Sequence, residues 1–155
     1  GRNADWMRSR RGEGKPETFD FLGFTHICAR STRGRFWVKR ITIAKRMRAK
    51  LAEVKVELRR RWHLPIQEQG QWLAAVLRGH YAYYAVPGNS DAVNGFRFQV
   101  VGLWRKRLRR RSQRSRLNWA RMKRIANRWL PKPRVMHPFP QVRFAATTQG
   151  RSPVR

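Results

Sequence analysis

The stretch LWRKRLRRRSQRSRLNW, residues 103–119, holds eight arginines and lysines and no carboxylate. A guanidinium is a permanently charged planar fork whose paired N–H groups match phosphate oxygens and whose flat face stacks on bases. The chemistry such a run can do is to hold a polyanion. Other reactive side chains are sparse. Cys28 is the only cysteine, so an intramolecular disulfide is excluded and a reducing compartment is expected. His26, His63, His80 and His137 are scattered without the spacing of zinc ligands.

The arginines are not a featureless tail. On a helix, Trp104, Leu108, Ser112 and Ser115 form a narrow stripe free of arginine, while Arg105, Arg107, Arg109, Arg110, Arg111, Arg114 and Arg116 take most of the remaining circumference. An ordinary solvated face would intersperse glutamates for i,i+4 pairing, and none occurs here. The segment is expected to dock by a thin apolar seam and to offer charge elsewhere.

The whole chain supports that reading. It has 155 residues, a formal net charge of +29 and a hydrophobic fraction of 41% with seven Trp and eight Phe. That is too apolar for a disordered polycation, so a core should form. Self-repulsion at this charge is relieved most simply by a partner of opposite sign, and nucleic acid leads. A membrane ranks lower, because no stretch approaches the apolar length of a transmembrane helix and the N-terminus has no signal-type apolar core. All eight acidic residues lie at or before Asp91. The first part mixes signs as a soluble fold does, and the last part has the composition of a binding surface.

The elements that must position these residues follow from periodicity. Residues 1–15 are polar and read as a loop. PETFDFLGFTHICARS alternates Phe19, Phe21 and Gly23 with Leu22, Phe24, His26 and Cys28, which predicts a strand buried on both faces. STRG is a turn and RFWVKR a second strand, making a β-hairpin. From Thr42, a candidate N-cap, the period becomes 3.6, with Ile43, Ala44, Met47, Leu51, Val54, Leu58 and Trp62 on one stripe. A second helix, from Pro65 to about Val86, stacks Ile66, Trp72, Leu73, Val76, Leu77, His80, Tyr83 and Tyr84. VPGNSD breaks it, with Asn89 or Ser90 as the next cap. The third helix turns Val93, Phe96, Val100, Val101, Trp104 and Leu108 inward, and a shorter fourth carries Trp119, Met122, Ala126, Trp129 and Leu130. LPKPRVMHPFP is extended, and a basic tail follows.

Several conspicuous residues have plain structural readings. His80 lies on an apolar stripe with no carboxylate or nucleophile near it in sequence, so a core histidine is expected rather than a catalytic one. Tyr83 and Tyr84 share that stripe and are expected in the core; Tyr81 sits at its edge, where core packing and base stacking both stay open. Gly79 is expected to allow close helix approach. Trp72, Trp104 and Trp129 are core anchors, Cys28 a structural strand residue and His137 a turn residue packed on aromatics. On the first helix, Glu53 and Glu57 can pair with Lys50, Arg60 and Arg61, whereas Lys45, Arg46, Arg48, Lys55 and Arg59 oppose the core stripe.

In chain order, PETFDFLGFTHI, a hairpin, RGHYAYYAVPGN, LWRKRLRRRSQRS, NWARMKRIANRWLPKPRVMHPFP and QGRSPVR resemble the C-terminal portion of bacterial group II intron reverse transcriptase/maturases. FDFLGF resembles the last block of the reverse transcriptase region, and the following motifs resemble the maturase-specific X domain, which serves as the polymerase thumb. The resemblance implies a mainly α fold: an N-terminal β-hairpin as palm remnant (1–40), a three-helix thumb (41–111) and a short basic helical C-terminal extension (112–155). It implies binding of group II intron RNA to assist splicing, clamping of an RNA template–DNA primer duplex, and attachment to upstream palm and fingers, in the bacterial cytoplasm. The RNA-binding residues expected are Arg105, Lys106, Arg107, Arg109, Arg110, Arg111, Arg114 and Arg116, with Arg78, Lys45, Arg48 and Lys55. The family's catalytic Tyr-x-Asp-Asp turn, which binds divalent metal (magnesium), has no counterpart: Asp5, Asp20 and Asp91 are isolated. Polymerase activity is therefore not expected of this chain alone, and no cofactor is expected in it. A ribosomal-type RNA-packing protein and a DNA-binding module are the alternatives from other classes.

Overall fold

A computed structural model gives the structure of residues 10–11, 18–30, 34, 36–111 and 117–138. The loop expected over 1–15, the seam residues Ser112 and Ser115 and the basic tail lie outside the described residues in whole or in large part. Helices dominate and antiparallel strands come first, as the patterning predicts. The order is β1 (Phe19–Phe21), β2 (Phe24–Arg30), β3 (Phe36–Thr42), α1 (Ala44–Arg60), α2 (Ile66–Tyr84), α3 (Ser90–Arg109) and α4 (Trp119–Trp129).

The first strand segment differs from expectation. FDFLGF is not one strand but a tight hairpin, in which Phe21 pairs with Phe24 across Leu22 and Gly23, and β2 then pairs antiparallel with β3. Both turn residues have positive φ, 47° at Leu22 and 81° at Gly23, the signature of a two-residue turn matched to strand twist. That conformation costs a leucine about 1–2 kcal/mol. Tertiary contacts hold it: Tyr83 Oη donates to Leu22 O at 2.6 Å and Ile43 N to Gly23 O at 3.1 Å. Phe24 packs against Tyr83 and Tyr84 at ring-centroid distances of 5.8 and 5.2 Å. The strand is also not buried on both faces, since Phe19 is 60% exposed and Phe21 and Leu22 are exposed as well.

Thr42 closes β3 and does not cap α1, whose N-cap is Ile43. Thr42 meets Asn89 instead. The Asn89 side chain accepts from Thr42 N (2.9 Å) and donates to Thr42 Oγ1 (2.7 Å) and Tyr84 O (2.8 Å). Asn89 occupies the N-cap position of α3 without capping it by its side chain. One buried amide thus joins the end of the sheet, the end of α2 and the start of α3.

The helical core is centred on α3, which touches α1, α2 and α4. Its inward residues Val93, Phe96, Val100, Val101, Trp104 and Leu108 are all buried, as the period predicts. On α1 the stripe narrows to Leu51, Val54 and Leu58; the helix stops at Arg60, so Trp62 lies in a turn and is exposed. On α2 the buried face is rotated from expectation toward Gly70, Ala74 and Tyr81, and Ile66 and Tyr83 are exposed. The reason is α4. Its Trp129 side chain lies where a Cβ on Gly70 would sit, 2.8 Å away, so Gly70 rather than exposed Gly79 permits the close helix approach. Residues after α4 then cross the same side: Tyr81 Oη and Arg97 Nε both donate to Pro131 O, Met136 N donates to Ala85 O, and His137 Nε2 lies 2.7 Å from Ala82 O.

Gln69 is the buried polar hinge of the bundle. Its amide donates to the carbonyls of Arg61 and Leu64 at 2.9 and 3.0 Å, and its Oε1 accepts from Trp104 Nε1 at 2.9 Å. The α1–α2 turn and the largest core side chain of α3 are therefore fastened to one residue of α2.

Candidate nucleic-acid interface

The second half of α3 carries Arg105, Lys106, Arg107 and Arg109, with Arg110 and Arg111 in the turn that ends it. Helical spacing sends these side chains in different directions, and the structure divides them accordingly. Lys106, Arg107 and Arg110 face α1, where Lys55 and Arg59 stand one turn apart. Together with Leu58 and Leu103 they line a cleft of about 310 Å³ between the two helices. Among the described residues, no carboxylate lines it. Glu57 is turned toward Arg60 and Arg61, with oxygens at 2.7 and 3.5 Å, and Glu53 pairs with Lys50 at 2.7 Å. The acids of α1 neutralise one side of that helix and leave the cleft side bare.

Crowding leaves a mark on Arg107. Burial holds its guanidinium below the ordinary arginine value, and Arg110 and then Arg59 push in the same direction. Like charges this close are stabilised by an anion placed between them. The arrangement can hold phosphate oxygens.

A second, shallower groove of about 510 Å³ lies along α3 itself, lined by Gly102, Arg105, Lys106, Arg109 and Arg110. The structure thus brings Lys55 together with Lys106, Arg107 and Arg110, and Arg105 and Arg109 with Lys106 and Arg110. Arg111 turns inward and donates from Nη2 to Leu64 O at 2.8 Å, bracing the α1–α2 turn. Arg78 is exposed on α2, which contributes to neither groove; Lys45 and Arg48 are exposed seven residues or more before Lys55, about 10–15 Å along the helix. Arg114 and Arg116 lie outside the described residues. Arg59, which the sequence places with Lys55 on the face of α1 opposite the core stripe, joins Lys55 on the cleft wall.

The other polar candidates are structural. His80 is buried, stacked on Phe96 with centroids 3.8 Å apart. Burial, and secondarily Lys50, brings its imidazole down to about 4, so it is neutral near pH 7. Tyr81, expected at the edge, is the buried tyrosine: burial raises its phenol to about 12 against an opposing effect of Arg97. Tyr83, expected in the core, is about half exposed, because the sheet turn covers its hydroxyl end and Phe24 one side of its ring while the rest faces solvent. Among the described residues, no three of His, Cys, Asp and Glu gather as a metal ion would require, and no helix is long and apolar enough to cross a membrane.

Compared with protein-family models, curated proteins and solved structures, the chain finds no match.

Proposed function

We propose that this chain is the RNA-binding thumb and maturase portion of a group II intron reverse transcriptase. It binds folded intron RNA, lowering the cost of bringing its phosphates together, and clamps template–primer duplex for a polymerase core supplied by upstream palm and fingers. The observation that carries the reading is the cleft between α1 and α3, with Lys55, Arg59, Lys106, Arg107 and Arg110 on its walls and no carboxylate among its described lining residues. A-form RNA hides its base edges in a deep groove, so proteins hold it through phosphates, 2′-hydroxyls and loops. Cations distributed over two rigid helices suit that task. The exposed apolar residues of the sheet, Phe19, Phe21, Leu22 and Val38, support docking against a palm rather than a self-contained RNA-packing protein. The splicing chemistry belongs to the RNA. Carboxylates for a catalytic metal pair do not fit among the described residues, and no polymerisation step is assigned to this chain. The reading places it in the bacterial cytoplasm.

The test is binding of the chain to a group II intron RNA and to an unrelated structured RNA of equal length across a salt series. The phosphate contribution falls with a log–log slope of about −0.7 to −0.9 per phosphate neutralised. A preference for the intron that survives at moderate salt supports the reading. Equal loss on both RNAs would reduce it to a folded polycation and overturn the maturase assignment.

A further inference from the structure

We propose that Phe98 and Trp119 form a stacking platform for an unpaired nucleobase, with Arg105 and the groove beside it holding that nucleotide's phosphate. The proposal rests on the RNA-binding reading above and goes beyond it by naming a single-stranded site distinct from the α1–α3 cleft.

Phe98, Gly102 and Arg105 stand at i, i+4 and i+7, one stripe of α3 about 10 Å long. Trp119, the first residue of α4, lies across that stripe. Its ring is within 9° of parallel to Phe98 with centroids 5.7 Å apart, and the Arg105 guanidinium carbon is 4.6 Å from its centroid. The edge of the indole passes over Gly102, 3.8 Å from where a Cβ would stand. Arg105 Nε also donates to Leu117 O at 3.2 Å, which fixes the guanidinium in place and leaves its terminal N–H groups for another acceptor.

Two observations separate this arrangement from a simple brace for α4. The docking of α4 is carried by Met122, Ala126 and Leu130, all buried. Phe98 and Trp119 keep 65% and 46% of their surfaces exposed, and aromatic surface left in water forgoes the free-energy gain of burial. Second, the stack adjoins the groove lined by Gly102, Arg105, Lys106, Arg109 and Arg110, with no carboxylate among its described lining residues. A flat aromatic face beside fixed cations is the pairing that single-stranded nucleic acid needs, one for the base and one for the backbone. A paired duplex offers no free base face, so the occupant is an unpaired nucleotide of RNA.

The experiment compares the affinity of the full chain for a short oligoadenylate, an abasic ribose-phosphate oligomer of the same length and an RNA duplex, at fixed salt. Wild type is expected to prefer oligoadenylate to the abasic oligomer. Phe98→Leu, which keeps apolar bulk and removes the plane, is expected to lose about tenfold or more on oligoadenylate and nothing on the abasic oligomer. Trp119→Ala should behave likewise, and Trp119→Phe should restore binding; unchanged thermal unfolding of Phe98→Leu separates these effects from misfolding. Equal binding of oligoadenylate and abasic oligomer overturns the proposal, as does an equal loss on both in Phe98→Leu; the stack is then only a brace. If duplex binding persists in either case, the RNA-binding reading stands without this site. Failure of wild type to bind any of the three overturns both.

Discussion

The two halves of α3 bury one continuous stripe and meet solvent in different ways. Val93 and Phe96 in residues 90–99, and Val100, Val101, Trp104 and Leu108 in residues 100–109, form the same wall of the core. Outside that wall the first half shows Ser90, Asp91, Asn94, Phe98 and Gln99, whereas the second shows Lys106 and Arg109 with Arg105 and Arg107 half-buried beside them. The buried face of a helix and its solvent face are separable at 3.6 residues per turn, so a chain can load one with arginine without loosening the other. The second half departs from ordinary surface design in having no acid to balance it. The first half departs in a single residue, Phe98, an exposed aromatic where a polar residue would serve the fold.

If the shared stripe is what joins the halves, cutting it should have the largest effect. Trp104→Ala removes a fully buried ring and leaves Gln69 Oε1 without its donor. Denaturant unfolding should show a loss of about 3–5 kcal/mol, and a loss under about 1 kcal/mol would mean that the bundle does not depend on its centre.

Acid should reach the first half through His80, which stacks there on Phe96. Above pH 6.5 the imidazole is neutral whether the chain is folded or not. As pH falls from 6.5 toward about 4 the unfolded chain takes up a proton that the folded chain refuses, so stability declines. The full effect is about 3 kcal/mol, complete below about 4. The pH profile of unfolding for wild type minus that of His80→Leu isolates it, and a flat difference across that window would show that His80 titrates normally.

A smaller effect is expected where α4 closes on α2. Gly70→Ala puts a Cβ 2.8 Å from Trp129, and relieving that overlap should cost about 1–3 kcal/mol in thermal or denaturant unfolding. A neutral or stabilising result would mean that α4 has room to shift. The least expected change in stability comes from the second half of α3. Arg107→Gln with Arg110→Gln should alter unfolding by less than about 0.5 kcal/mol. The same pair should flatten the salt dependence of RNA binding by about 0.7–0.9 for each phosphate that is no longer neutralised. A marked loss of stability would show that charge and core are coupled after all.

Much of this organisation was readable in the residues. The inward face of α3 follows from period alone, because α3 is surrounded on three sides and every apolar position finds cover. The pairing of Glu53 and Glu57 with Lys50, Arg60 and Arg61 also followed, since i,i+3 and i,i+4 neighbours are fixed by the helix itself. The face of α2 was misplaced by periodicity because Tyr81 and Tyr83 are equally apolar in a pattern, and only the arrival of α4 and Pro131 decides which is covered. Gly70 and Gly79 are likewise indistinguishable until Trp129 lands on one of them. The FDFLGF turn was hidden because a leucine at positive φ is unfavourable locally and is held by tyrosines sixty residues away.

By itself the sequence determined the helical periods, the local ion pairs, the excess of arginine and the absence of acids after Asp91. These are properties of composition and of contacts within a turn or two. Only the tertiary structure decided that Lys55 and Arg59 face Lys106, Arg107 and Arg110 across a cleft, that Arg111 turns inward, and that Trp119 comes to rest on Phe98 and Arg105. Those neighbours lie about fourteen to fifty residues apart in the chain, and their meeting depends on how helices pack, which no single helix encodes.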